Sequence, residues 1–529
     1  MNETETKHWP MAKAVRAAYS AGEDDETMEP IVLVDKNSKP IGRFQDGDYV
    51  IFYNLRGERE IELTSSFSDP DFPHFPRQPM RTPFVTMIEY DKNLDVRVAF
   101  PPGGPIQDTL PQVVSNHGLR QAKVVETEKS VHLTYYLNGK NEGVLPGEDH
   151  FIPPSPHTSD YGTVPELNAA GVGDAAVAAI ANPAYSLITI NLANTDVLGH
   201  VENLEAIKTA VHTVDTQIGR IVEAARLARA TLIITADHGS AERWYYPDGA
   251  IDTGHTDSPV PFILAAPELR HLRLQDGGAL TDVAPTILHL MNLPKPDVMT
   301  GSSLILDKIP ALSRRVVLLI ADGWGARDET WGNLIAAAET PVMDELQAQW
   351  PTTRLAAAGP AVGMPEGTVG NSEAGHLHIG GGRRLLSDRV RIEEAIADGS
   401  FFHNEEFLWA MRGAKRDGAR LHLLGIISFY SSHGSVEHLK ALMRMAAAEG
   451  APEVYIHGML GRRGERPESG AIYVQSIEEE ADRLGLGKFV SIIGRFWSLD
   501  REQNWDRIEK TYRWLVYGQG TLAPEMGRG

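Results

Sequence analysis

Short, wholly apolar runs recur along the chain, each followed by a polar or glycine-bearing loop. Leu187 to Ile190, Leu232 to Thr235 and Val316 to Ile320 are the plainest of them. An apolar run of this length bounded by turn residues predicts a strand buried on both faces, as in a parallel sheet. Leu204, Ile207, Val211, Val214, Ile218 and Ile221 recur instead at three- and four-residue steps, the stripe of a helix packed on such a sheet. From Leu421 the same alternation predicts strand 421–427, helix 436–449, strand 453–457, a helix near 475–485, strand 489–493 and helix 503–517. Further strands are predicted at Ile31–Val34, Tyr49–Asn54, Phe84–Tyr90, Ala122–Glu126 and Val131–Leu137. Helices are predicted at Met11–Gly22, at Asp282–Met291 with Thr281 or Asp282 as cap, and at Thr340–Gln349 with Pro341 in the first turn. Residues 1–10 and Thr521–Gly529 read as tails. The pattern is that of an α/β protein, and 529 residues suggest two domains.

Composition narrows the function. The net charge of −21 argues against nonspecific nucleic-acid or membrane binding. The chain has no cysteine, so any metal is held by oxygen and imidazole, which favours Mn²⁺, Mg²⁺ or Zn²⁺. Met1 to Pro10 lacks the apolar core of a signal peptide, and no run has the length of a membrane span, so a cytoplasmic enzyme is expected.

The chemistry clusters after the apolar runs. Val316–Ile320 leads into Asp322-Gly-Trp-Gly325, Leu187–Ile190 into Asp196 and His200, and Leu232–Thr235 into Asp237-His238-Gly239. Thr253-Gly-His255-Thr-Asp-Ser-Pro259 supplies another histidine, and Val369-Gly-Asn-Ser-Glu-Ala-Gly-His376 places Ser372 at a helix start that Asn371 or Ser372 can cap. Ligands gather at the carboxyl ends of strands in open α/β sheets, and a helix N-terminus favours a phosphoryl group. Any one of these residues could be an ordinary cap or turn residue. Three aspartates, three histidines and a serine in one grammar suffice for two divalent metals sharing a nucleophile.

These segments resemble the cofactor-independent phosphoglycerate mutases of the alkaline phosphatase superfamily. The resemblance rests on Asp322-Gly-Trp-Gly, Gly370-Asn-Ser-Glu-Ala-Gly-His, Asn194-Thr-Asp-Val-Leu-Gly-His, Ala236-Asp-His-Gly and His255-Thr-Asp-Ser-Pro-Val-Pro, and extends over nearly the whole chain. It implies an alkaline-phosphatase-like metal domain and a smaller α/β phosphotransferase domain. It further implies one metal on Asp196, His200 and His255, and a second on Asp322, Asp237 and His238 with the Ser372 oxygen. Mn²⁺ is the first expectation, with Mg²⁺, Zn²⁺ or Co²⁺ as alternatives. Ser372 would become a phosphoserine, and Lys129, in a Glu-Thr-Glu-Lys context, would neutralise phosphate charge.

The order of the segments departs from the family. There, the Asp-Gly-Trp-Gly and serine segments open the chain; here Asp196 to His255 precede them. The chain therefore reads as a circular permutation, with Leu304–Arg315 joining what are elsewhere the two chain ends. The expected domains are 1–104 (first part of the substrate domain), 105–386 (a continuous metal domain) and 387–529 (second part of the substrate domain).

His433, Arg463, Arg495, Arg501, Arg56 and Arg59 match the family's substrate-holding positions, and arginine forks suit carboxylate and phosphate. The surroundings have changed, however. Phe429-Tyr-Ser431 replaces Asp-Gly-Gly, His433-Gly434-Ser435 replaces His-x-His, Arg56-Gly57-Glu58-Arg59 replaces Arg-Pro-Asp-Arg, and Gly464 stands in place of an aspartate. A lost hydrogen bond to a charged partner costs about 1.5–3 kcal/mol, roughly 10–150-fold in rate. The leading expectation is a monomeric mutase interconverting 3-phosphoglycerate and 2-phosphoglycerate. The alternatives are a phosphomutase or phosphatase for another phosphorylated or phosphonylated acid, and a non-catalytic metal-binding sensor.

Overall fold

The structure, a computed structural model, describes residues 9–158, 160–428, 431, 433–461 and 469–525. The strands, in chain order, are β1 Ile31–Val34, β2 Tyr49–Phe52, β3 Phe84–Ile88, β4 Arg97–Phe100, β5 Arg120–Val124, β6 Glu148–Phe151, β7 Tyr185–Leu192 and β8 Thr231–Thr235. There follow β9 Val260–Ala265, β10 Gly278–Ala279, β11 Val316–Ala321, β12 Thr352–Ala356, β13 Leu421–Ile426, β14 Val454–Leu460, β15 Lys488–Gly494 and β16 Thr521–Pro524. They form two eight-stranded sheets in two compact units, the first made of Met1–Pro102 with Asp388–Gly529, the second of Gly103–Ser387. Each unit has its own hydrophobic core. Among the described residues no helix is long and apolar enough to cross a membrane.

In the second unit the strand order is β10-β12-β9-β8-β11-β7-β5-β6. The run Val-Val-Leu-Leu-Ile-Ala of β11 is buried throughout because it lies at the middle of the sheet, between β7 and β8 and parallel to both. Helix Leu204–Leu227 buries the predicted stripe Ile207, Val211, Val214, Ile218 and Ile221. In the first unit the order is β16-β1-β15-β14-β13-β2-β3-β4, with β2, β13, β14 and β15 adjacent and parallel.

Three local expectations are corrected. Val131–Leu137 is not a strand: His132–Tyr136 forms a wide helical turn following the short turn Thr127–Lys129. Its β-forming side chains mislead, and the signal that prevails is the four-residue spacing of the buried Leu133 and Leu137. Thr521–Pro524 is not a tail, since it pairs in parallel with β1 and completes that sheet edge. Asp282 does not cap the helix Val283–Leu290; its carboxylate accepts instead from the backbone N–H groups of Ala279 and Ser302.

Candidate functional site

The adjacent central strands β7, β11 and β8 end together, because Leu192 is in register with Ala321 and Thr235 with Ile320. Asn191 stands at the end of β7 itself, and three segments leave the sheet side by side, carrying Asp196, Asp322, and Asp237 with His238. Asn371, rather than Ser372, caps the helix Ser372–Gly381 by accepting from Ala374 N–H, which leaves the Ser372 hydroxyl uncommitted to its own helix.

Ser372 Oγ lies 2.6 Å from Lys129 Nζ, 2.9 Å from His238 Nε2 and 3.3 Å from Asp322 Oδ1. Lys129 Nζ also reaches Asp196 Oδ2 at 2.7 Å and Asp322 Oδ1 at 3.0 Å. His238 Nε2 stands 3.4–3.5 Å from single oxygens of Asp196, Asp237 and Asp322. His255 Nε2 lies 3.0 Å from Asp196 Oδ1 and 3.1 Å from His200 Nε2, and His200 Nε2 lies 3.6 Å from the same oxygen. All seven predicted metal and nucleophile residues, and Lys129, thus form one cluster.

The donor set fits cations. His200, His238 and His255 turn Nδ1 towards the backbone carbonyls of Thr253, Gly239 and Gly370 at 2.8, 3.1 and 2.9 Å. An Nδ1–H spent on a carbonyl leaves Nε2 as a lone-pair donor. Two such atoms 3.1 Å apart, on His200 and His255, need a shared positive charge. Asp196 Oδ1 is buried, and in that tautomer neither His200 nor His255 donates to it. Groups whose ligand atoms converge are Asp196 with His200 and His255, Asp196 with His238 and Asp322, and Asp237 with Asp322 and His376. Burial opposes charge on these groups, yet the crowd of carboxylates prevails and pushes His238 up to about 10 and Lys129 above a free lysine; a cation would take the place of the His238 Nε2 proton and free its lone pair.

The sequence reading missed Asn191, His376 and Glu242. Asn191 Nδ2 donates to Asp322 Oδ2 at 2.8 Å and approaches His376 Nε2 at 3.0 Å. His376 therefore accepts at Nε2 and turns Nδ1 to the Ser372 carbonyl at 2.9 Å and Asp237 Oδ2 at 3.2 Å, bracing that carboxylate. Glu242, fully buried, accepts from Ser240 N–H and Thr256 Oγ1 under the Asp237–Gly239 loop. Position within a motif was the only available signal for His376, and nothing in the pattern singled out Glu242. Two glycines are dictated by close approach. A Cβ on Gly375 would sit 2.4 Å from the Asp237 carbonyl oxygen, and one on Gly323, whose φ is +78°, would sit 2.8 Å from Asp196 N and Cα.

In the first unit, Arg56 and Arg501 share Glu58, at 3.6 and 2.7 Å. Arg59 donates to the Leu499 carbonyl at 3.1 Å, so these three arginines occupy one neighbourhood. Arg495 pairs with Glu26 at 2.9 Å beside Gly461. His433 is buried, with Nδ1 2.8 Å from Glu60 Oε1. Arg463 and Gly464 lie outside the described residues.

Comparison with known proteins finds two family models. The Metalloenzyme superfamily matches residues 36–295, and the BPG-independent PGAM N-terminus (iPGM_N) matches residues 392–526. Similar proteins include the 2,3-bisphosphoglycerate-independent phosphoglycerate mutases of Thermomicrobium roseum and Acaryochloris marina. The first is 44% identical over 300 residues, covering 55% of this chain and 57% of the relative. The second is 42% identical over 307 residues, covering 56% of each. The chain thus spans a little over half the length of the curated relatives it matches. A crystal structure of Leishmania mexicana phosphoglycerate mutase at low cobalt concentration aligns with TM-score 0.38 and 29% identity over 52% of this chain and 53% of that one.

Proposed function

From this kinship with the BPG-independent phosphoglycerate mutases, we propose that the protein is a metal-dependent phosphomutase interconverting 3-phosphoglycerate and 2-phosphoglycerate through a phosphoserine. The observation that carries the proposal is Ser372 Oγ, held at a helix N-terminus within 3.3 Å of Lys129, His238 and Asp322. Asp196, His200 and His255 would hold one divalent ion. Asp322, Asp237, His238 and the Ser372 oxygen would hold the other, with Mn²⁺ the expected metal. Bound ions supply Lewis acidity and neutralise phosphate charge.

The chain's own residues do the rest. Ser372 Oγ bonds to phosphorus as the bond from phosphorus to the substrate oxygen breaks, and the departing alkoxide takes up a proton. Lys129 neutralises phosphoryl charge. Arg56, Arg59, Arg463, Arg495 and Arg501 retain the dephosphorylated acid while the oxygen of its other hydroxyl bonds to phosphorus as the bond from phosphorus to Ser372 Oγ breaks; His433 takes up that hydroxyl's proton, and the released serine oxygen is reprotonated. Glu58 and Glu26, which partner Arg501 and Arg495, yield those forks to substrate.

We also propose that the chain is circularly permuted. Two observations support this. Asp196–His255 precede Asp322 and Ser372, and the module described as an N-terminus matches residues 392–526. In this reading residues 105–386 are the metal domain and residues 1–104 with 387–529 the substrate domain. The net charge of −21 argues against nonspecific nucleic-acid or membrane partners, and in this reading the protein is a cytoplasmic monomer whose arginines take a small anionic acid.

The test is an enolase-coupled assay on 3-phosphoglycerate with Mn²⁺ and without bisphosphoglycerate, beside Ser372→Ala. Turnover lost in the variant supports the proposal; a metal-loaded protein that leaves phosphoglycerate untouched overturns it. The altered segments at 429–435 and 461–468 favour a second reading, a phosphomutase or phosphatase for another phosphorylated or phosphonylated acid. A substrate panel in which phosphoglycerate is best by a wide margin rejects that one.

A further inference from the structure

Glu60 follows the arginine pair Arg56 and Arg59 and stands at the N-cap position of the helix Ile61–Ser68. A carboxylate there ordinarily accepts from its own helix's N–H groups. Glu60 makes no such bond, and its side chain is fully buried instead. Its Oε1 receives Asn54 Nδ2 at 2.8 Å and faces His433 Nδ1 at 2.8 Å, while its Oε2 is buried without a hydrogen-bond partner. Burying a carboxylate is costly unless its contacts repay it, and the two contacts seen here both lead to the substrate-side loops.

Asn54 is itself pinned. Its Oδ1 accepts from Ile426 N–H at 2.8 Å, and its carbonyl from the Tyr90 hydroxyl at 2.9 Å. The next residue, Leu55, donates its N–H to the His433 carbonyl at 2.7 Å. The end of β2, the end of β13 and the His433 loop are thereby joined through one buried node.

We propose that Glu60 is a positioning residue that locks the His433 ring with Nδ1 on the protein side, leaving Nε2 to exchange the proton of the substrate hydroxyl, and that ties the Arg56–Arg59 turn to that ring. The assignment of His433 to proton exchange rests on the function proposed above; the lock itself does not. A further charged group reaches this loop: Arg389 donates to the Ser431 carbonyl at 2.7 Å. Glu60 is the closer of the two, bonded directly to the ring.

Glu60→Gln separates charge from shape, since an amide oxygen can still accept from both neighbours. Glu60→Ala removes both. In ¹⁵N-histidine spectra of the full chain, with His433 assigned by loss of its signals in His433→Gln, the wild-type ring is expected as the Nδ1–H tautomer when neutral. Glu60→Gln should keep that tautomer, and Glu60→Ala should release the preference. In the coupled assay kcat should fall about 10–100-fold with KM changed little, as for loss of a partner that orients a working imidazole. A His433 tautomer identical in wild type and Glu60→Ala would overturn the proposal. If wild type does not turn over phosphoglycerate, the mutase function falls, and the ring spectra alone decide for or against Glu60.

Discussion

The Nε2 atoms of His200 and His255 stand 3.1 Å apart, and each ring directs its Nδ1 to a backbone carbonyl. Neither nitrogen of the facing pair has a proton to offer the other in that tautomer, so the contact is repulsive until a cation lies between them.

Metal should therefore stabilise the fold as well as activate it. Dialysis against a chelator is expected to abolish phosphoryl transfer and lower the melting temperature, and Mn²⁺ to restore both. A ligand at 100 times its Kd stabilises by about 2.7 kcal/mol. His200→Ala should lose most of that gain. Calorimetry showing the same melting temperature with and without Mn²⁺ would count against the assignment.

Ser372 and Asn371 should separate function from stability. Ser372→Ala leaves the cap in place, so stability should change by no more than about 1 kcal/mol, while turnover falls at least about a thousand-fold. Asn371→Ala removes the bond to Ala374 N–H, which costs about 1 kcal/mol, and should impair activity less. Denaturant titrations and the coupled assay on both variants check the pair; equal activity losses would contradict it.

Gly375→Ala should be far more harmful than an alanine at a helical glycine ordinarily is. The new methyl would lie 2.4 Å from the Asp237 carbonyl oxygen and 2.7 Å from Asp237 Cβ, forcing that ligand away from Asp322. Mn²⁺ affinity by titration calorimetry should drop about tenfold or more, by analogy with displaced metal-site partners.

Acid should weaken the first unit through a buried relay. Ser491 Oγ, His457, His422 and Asp48 follow one another at 2.8, 2.9 and 3.0 Å. One proton order satisfies the chain: the serine hydroxyl donates to His457 Nδ1, His457 Nε2–H to His422 Nδ1, and His422 Nε2–H to Asp48. Burial pushes His422 down to about 4 from 6.5, more than Asp48 can raise it. The folded state thus binds a proton less readily than the unfolded one. The stabilisation is complete above about pH 6.5 and is lost as pH falls towards 4, by at most roughly 3 kcal/mol. Glu478 works the other way. Burial raises it to about 7, despite backbone N–H bonds from Met11 and Ala12, so its term is present below about pH 4.5 and lost above 7. Denaturant midpoints at pH 7 and pH 5 should fall more in wild type than in His422→Leu; parallel falls would exclude the relay as the cause.

The metal half of the site was legible because it is written locally. Apolar runs such as Val316–Ile320 can only be buried strands, and the polar residues that follow, Asp322 among them, must then emerge at a sheet end. Order along the chain could not show that β11 lies between β7 and β8, which is what brings Asp322 beside Asp196 and Asp237. Nor could it show which of Asn371 and Ser372 caps the helix, since both residue types serve and only the backbone geometry selects one. Glu242 and Glu60 were invisible for a related reason, and His376 was marked only by its place in a motif: each acts by a contact across the fold, and a buried side chain is spelled the same way as a solvated one. The edge strand Thr521–Pro524 is the same lesson in the backbone. Thr-Leu-Ala-Pro lacks the continuous apolar run of the predicted strands, and it is the open edge of β1 that makes it one. Residue types and local spacing settled the elements and the donor chemistry; tertiary packing alone decided which donors meet, because hydrogen bonds and close contacts depend on distance in space rather than along the chain.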